Sequence, residues 1–219
     1  MTSATRPTLV IGNKNYSSWS LRPWLLLRQH GVDFDEVRLP LDTPEFYAAI
    51  GTYSPTGRVP VLRVDDLVVW DSLAILEYSN ERWLDGAGWP RHIAARARAR
   101  SVSAEMHSGF ANLRAQCPMD CVKRSTAPVS AEVLRDIERI GALWRDCRAR
   151  HGAEGPFLFG QFGIADAMYA PVALRIVSYA IPIGPVERDY VDALLALPAL
   201  REWLSDADAE QRAAKRDTR

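Results

Sequence analysis

The 219-residue chain has three cysteines, Cys117, Cys121 and Cys147, and none before position 117. Its N-terminal half therefore has no thiol to offer, which argues against thiol-disulfide exchange there. An odd number without a framework spacing suits reduced thiols in a reducing compartment. Cys117 and Cys121 have too few potential ligands around them for a metal site, and no metal is expected. No run approaches the roughly 18 apolar residues needed to span a bilayer. The opening MTSATRPTLVIGN likewise lacks an apolar stretch of signal-peptide length. A cytoplasmic protein with no membrane partner is the expectation. Net charge is missing as well: 27 basic side chains balance 27 acidic ones, so no field steers the protein toward nucleic acid. Internal repeats and low-complexity segments are absent too.

What is present reads as two kinds of structure in succession. TLVIG at 8–12 has the look of a buried strand, and the polar loop NKNYSS follows it. A helix is expected near Ser18 to His30, with Leu21, Trp24 and Leu25 on one face, Pro23 in the first turn and Gly31 as its stop. DEVRLPL reads as a second strand and TPEFYAAIGTY as a short helix. The helix crossing between the first two strands makes them parallel, and the last two strands form an antiparallel hairpin, giving the order βαβαββα. LDGAGWPRH, rich in Gly and Pro, reads as a linker, and everything beyond it is helical. Val102, Met106, Phe110 and Leu113 form one apolar stripe, and Val133, Ile137, Ile140, Trp144 and Cys147 form another, capped by Ser130. GIADAMYAPVALRIVSYA is apolar almost all round, the mark of a central buried helix.

The stretch 54–83, SPTGRVPVLRVDDLVVWDSLAILEYSNERW, is odd for a segment whose only task is to fold. Pro60 offers no N–H to a sheet, so the strand should begin there and leave Val59 just outside, its backbone free to pair with an extended peptide if the Val59-Pro60 bond is cis. Asp71 and Ser72 stand where a strand ends and a helix begins. Unpaired N–H groups and the positive end of the helix dipole attract a carboxylate or phosphate at such a point. A plain helix cap accounts for the same pair, without the Glu or Gln that a capping box would need.

SPTGRVPVL, the strand pair and WDSLAILEY together resemble the glutathione-binding half of the soluble glutathione transferases. NYSSWSLRPWLLLRQHG upstream and PFLFGQFGIADAMYAP downstream extend that resemblance over nearly the whole chain. It implies an α/β, thioredoxin-like domain over 1–84, a linker over 85–92, an all-helical domain over 93–205 and a frayed charged tail over 206–219. In that family a Val-cis-Pro holds the cysteinyl backbone of glutathione, and an acidic-Ser pair at a helix start holds its γ-glutamyl end. Val59, Pro60, Asp71 and Ser72 inherit those roles by resemblance, and Arg58 could reach a glutathione carboxylate. Asp166 resembles the family's structural N-capping aspartate, although Gly163 replaces the hydroxyl residue of that motif. His107 reads either as a partly buried, hydrogen-bonded histidine or as a lining residue of the acceptor pocket, which Trp19 and Trp24 could also border.

The resemblance implies transfer of glutathione, as co-substrate, to an electrophilic and largely apolar small molecule by a homodimer. Lowering a thiol pKa from about 8.5 by two units takes about 2.7 kcal/mol. One hydrogen bond to a charged acceptor supplies roughly 1.5–3 kcal/mol, and a helix N-terminus adds roughly 0.3–1. One hydroxyl at a helix start therefore suffices. The nearest pattern is the Ser-Ser-Cys-Ser of zeta-like, serine-type members, which matches Ser17 as donor and Ser18 as its neighbour, with Tyr16 as rival. Trp19 departs from that pattern by standing at the cysteine. Two other readings stay open: a glutathione-dependent cis-trans isomerase or dehalogenase, and a non-catalytic interaction module of the same fold.

Overall fold

The computed structural model describes residues 6–217. The chain begins β1 (Thr8–Ile11), α1 (Ser18–Gln29), β2 (Asp35–Arg38), α2 (Pro44–Ile50), β3 (Val61–Val64), β4 (Leu67–Trp70) and α3 (Ser72–Trp83). The strands form one sheet in the order β2-β1-β3-β4, in which β1 and β2 run parallel and the β1-β3 and β3-β4 pairs antiparallel. This is the thioredoxin-like topology. β3 opens at Val61, one residue later than expected, because Pro60 has no N–H for the ladder.

A helical part follows: α4 (Ile93–Ser108), α5 (Ala111–Gln116), α6 (Ala131–His151), a 3-10 turn (Gly152–Glu154), α7 (Ile164–Ser178), α8 (Pro185–Ala196) and α9 (Pro198–Asp217). The stripe from Val102 to Leu113 is not one helix. The chain breaks at Gly109 and at Phe110, whose φ is +60°, and Arg114 Nη2 donates to the freed carbonyls of Met106 and His107 at 2.7 and 3.0 Å. Pro23 also departs from expectation. It is the sixth residue of α1, in the second turn, so the Trp19 carbonyl has no N–H four residues on to accept.

Helix α1 is the hub. It packs on α3 beside the sheet and on α7 and α9 of the helical part, and Leu21, Trp24, Leu25, Leu26 and Leu27 are all buried. Helix α7 is buried along almost its whole length, which fits its near-absence of charge. The charged tail is not frayed. Through Asp217 it continues α9, and two of its acids, Asp206 and Glu210, are anchored on the loop before α1, while positions 218 and 219 lie outside the described residues. Buried Lys14 reaches Asp206 at 2.7 Å and Glu36 at 2.9 Å, with Nζ over the faces of Trp24 and Trp203. Glu210 accepts from the Lys14 and Asn15 N–H groups and from Arg38. Helix α9 buries an apolar face of Leu200, Trp203 and Ala207, and its polar groups meet partners fixed by the other domain, so tertiary packing holds the helix.

Asp166 sits fully buried at the start of α7. Its oxygens accept from the N–H groups of Leu158 (3.0 Å) and Gly163 (2.9 Å) and from the Tyr190 hydroxyl (2.9 Å). Burial outweighs these bonds and raises its carboxyl from 3.8 to about 6. A carboxyl that holds its proton more tightly when folded stabilises the fold fully at low pH, and that contribution disappears as pH rises through the folded value. The wild type's advantage over Asp166→Asn in urea unfolding should therefore shrink between pH 3.8 and about 6. Asp166→Ala orphans three buried donors and should cost about 3 kcal/mol by the same measurement.

Candidate functional site

A cavity of about 610 Å³ lies where the sheet edge meets α4, lined by residues that include Arg58, Val59, Pro60, Asp71, Ser72 and His107. Five of the seven residues to which the resemblance assigns a catalytic or glutathione-binding role thus meet at one place. The Val59-Pro60 peptide bond is cis. Val59 is half-buried, and its backbone makes no hydrogen bond among the described residues. The loop before it is held by the Ser54 hydroxyl, which accepts from the N–H groups of Thr56 (3.3 Å) and Arg58 (3.2 Å).

Asp71 caps α3. Its Oδ1 accepts from the N–H groups of Leu73 at 2.9 Å and Ala74 at 3.3 Å, while its backbone sits at φ +74°. A non-glycine residue there carries roughly 1–3 kcal/mol of strain, tolerated where surrounding contacts dictate the conformation. The second oxygen, Oδ2, is 3.1 Å from Nε2 of His107, on the helical domain. Ser72, the first residue of α3, is 1% exposed, yet its hydroxyl has no partner among the described residues. A buried hydroxyl that lines a cavity without a hydrogen bond is unusual in a native protein and points to a ligand group.

Ser17 and Ser18 are not among the residues that line the cavity. Ser17 is the N-cap of α1: its Oγ accepts from the Ser20 N–H at 3.4 Å and donates to Ser20 Oγ at 2.7 Å. Ser18 Oγ accepts from Arg175 Nη2 at 3.4 Å, and its own proton is not committed among the described hydrogen bonds. Tyr16 points elsewhere, accepting from Gln211 of α9 at 2.8 Å. Of the two tryptophans considered, Trp19 lines the cavity and Trp24 is buried in the core.

Positive charge is concentrated behind Trp19. The guanidinium carbons of Arg22 and Arg114 lie 4.1 and 5.0 Å from its ring centre. Burial, then the neighbouring Arg175 and Arg114, pushes Arg22 well below its usual range, and burial with Arg114 brings Arg175 down to about 10. A guanidinium stays protonated in proteins, and the field of this cluster favours a nearby anion. The thiols are inert by comparison, because burial raises Cys117, takes Cys121 to about 12 and Cys147 to about 11. Among the described residues no cluster of His, Cys, Asp or Glu has the makings of a metal site.

Thr56 and Trp70 also line the cavity and escaped the sequence reading. Trp70 is the last residue of the edge strand β4 and stands 47% exposed. Its position immediately before Asp71 was the available signal; Thr56 had none beyond its place in a turn.

Residues 16–82 match the glutathione S-transferase N-terminal domain and residues 127–206 the glutathione S-transferase C-terminal domain. A probable maleylacetoacetate isomerase of Caenorhabditis elegans is 32% identical over 108 residues, 49% of this chain and 50% of that protein. Glutathione S-transferase Z1 of Arabidopsis thaliana is 27% identical over 169 residues, 72% of this chain and 74% of that one. The chain spans about half the length of the first curated relatives it matches. A crystal structure of a glutathione transferase homologue from Burkholderia, with bound glutathione, superposes with a TM-score of 0.70 at 23% identity, covering 94% of this chain and 99% of the other. No described helix is long and apolar enough to cross a membrane. With both domain families matched in order along one chain and the fold shared with solved relatives, this protein belongs to the glutathione S-transferase family.

Proposed function

We propose that the cavity binds glutathione and that the protein transfers the tripeptide, through its sulfur, to an electrophilic, largely apolar small molecule. The observation that carries this reading is Ser72, a buried and unpartnered hydroxyl beside the Asp71 carboxylate and the unpaired Val59 backbone. Val59 would pair with the cysteinyl backbone as an added strand does. Asp71 and Ser72 would take the γ-glutamyl group, and exposed Arg58 would take a carboxylate. This reading places the protein in the cytoplasm as a homodimer, with Leu67 and Trp70, exposed on edge strand β4, as apolar surface for the partner.

The thiolate donor in this proposal is a serine of the α1 start, and Ser18 is put ahead of Ser17. The Ser17 proton is spent on Ser20, whereas Ser18 accepts from the Arg175 cation and keeps its own proton to give. An accepting bond from a cation also makes the hydroxyl a stronger donor to an anion.

A glutathione-dependent isomerase is the second reading, favoured by the names of two relatives that are 32% and 31% identical over about half of the chain. Parallel assays of chlorodinitrobenzene conjugation and maleylacetoacetate isomerisation separate the two.

Calorimetric titration with glutathione should show binding that weakens about tenfold in Ser72→Ala, the loss of about 1.4 kcal/mol expected from one buried hydrogen bond. Unchanged affinity would remove Ser72 from the site. The same substitution should leave the ligand-free melting temperature unchanged or higher, since the hydroxyl removed has no partner. Ser18→Ala should keep glutathione affinity and move the pH dependence of conjugation upward by about 1 unit or more. Ser17→Ala should instead cost about 1 kcal/mol of stability as a lost helix cap and leave that profile in place.

A further inference from the structure

The contact between Asp71 and His107 joins a loop of the sheet domain to a helix of the other domain, and cap formation at α3 does not require it. Oδ1 alone accepts both N–H groups of the cap. Oδ2 turns away from α3 to Nε2 of His107 at 3.1 Å. The imidazole is fixed from three sides. Asp71 holds one nitrogen, Trp19 meets its ring edge-on with centroids 5.3 Å apart, and Arg114 Nη2 holds its own backbone carbonyl at 3.0 Å. Its other nitrogen, Nδ1, is buried without a partner among the described residues. The ring has thus forgone one hydrogen bond and kept the one that aims the carboxylate. Both side chains line the cavity.

We propose that His107 is a positioning residue for the γ-glutamyl end of glutathione, acting through Asp71; this rests on the reading that the cavity binds that tripeptide. A carboxylate oxygen has two lone pairs. His107 occupies one on Oδ2 and fixes the plane of the carboxylate, so the second faces the cavity and is ready for an ammonium donor. Without the imidazole, Asp71 is held through Oδ1 alone and can turn about its χ2, which for a carboxylate is a broad torsion. Ordering it again on binding weakens the contact with the ammonium group. The helical domain thereby takes part in recognising a group otherwise bound by the sheet domain. The sulfur end of the site, at the start of α1, is untouched by this contact.

The test sets glutathione against cysteinylglycine, which lacks the γ-glutamyl group, as competing ligands for the wild type, His107→Ala and His107→Gln. His107→Ala should weaken glutathione about tenfold and leave cysteinylglycine unchanged, as expected for the loss of one charge-assisted hydrogen bond. His107→Gln, whose amide N–H can reach the same oxygen, should recover most of the affinity. In an Asp71→Asn background, His107→Ala should have little further effect. The ultraviolet absorbance titration of the bound thiolate should be the same in His107→Ala and wild type. Equal weakening of both ligands would show a merely structural histidine and overturn the proposal. Tighter binding of glutathione by His107→Ala would do so too, by showing that imidazole and ammonium compete for Oδ2. A wild type that binds the two ligands equally well would refute the γ-glutamyl assignment of Asp71 itself, before any histidine variant is measured.

Discussion

Helix α1 is clamped between the sheet and α7, and the rest of the structure depends on how that clamp fixes its first turn. Five buried apolar residues on one short helix, four of them consecutive from Trp24 to Leu27, leave it no freedom to slide. Its N-terminus is thereby set beside Val59, whose backbone makes no hydrogen bond among the described residues. Ser18 and Trp19 occupy that end; the guanidinium groups of Arg22, Arg114 and Arg175 stand behind it. Three elements contribute those cations, so the positive field exists only when the two domains are packed together. A site for an anion assembled this way needs no metal and no net charge on the protein.

The cavity is built from local breaks in regular structure. Pro60 delays the strand, Asp71 bends the chain through a positive φ into α3, and Phe110 ends α4 just beyond His107. Each break exposes backbone groups or aims a side chain that a continuous element would have hidden. Strain and unpaired groups lie here, while the apolar core of α1 and α7 is closely packed. This division is common in enzymes, where a rigid scaffold holds a few unfavourable arrangements in place.

The sequence made the order of the elements, the buried α7 and the Val59-Pro60 and Asp71-Ser72 corners legible, because each depends on neighbours within a few positions. Proline has no N–H, a carboxylate caps the helix that follows it, and an apolar run without charge must be buried. The contact of Asp71 with His107 spans 36 positions and has no local signature. His107 lies one place off the apolar stripe of α4, and only the meeting of two domains gives it a partner. The inward turn of the Ser17 hydroxyl depends on Ser20, a residue that looked like one more helix-start serine. The charged end of the chain misled for a similar reason: Asp206 and Glu210 look solvated until Lys14, nearly two hundred positions earlier, is brought beneath them.

That buried lysine has a mechanical consequence. Its ammonium binds acids from both domains, and the following Asn15 side chain accepts from the N–H groups of Cys121 and Val122 while donating to Asp120. The loop leading into the first helix is therefore riveted to the helical half on two sides. Opening by a hinge between the halves would break the bonds to Asp206, Asp120, Cys121 and Val122 together. Traffic into and out of the cleft is thus left to its rim, where the exposed threonine, arginine and tryptophan side chains can swing without disturbing the floor.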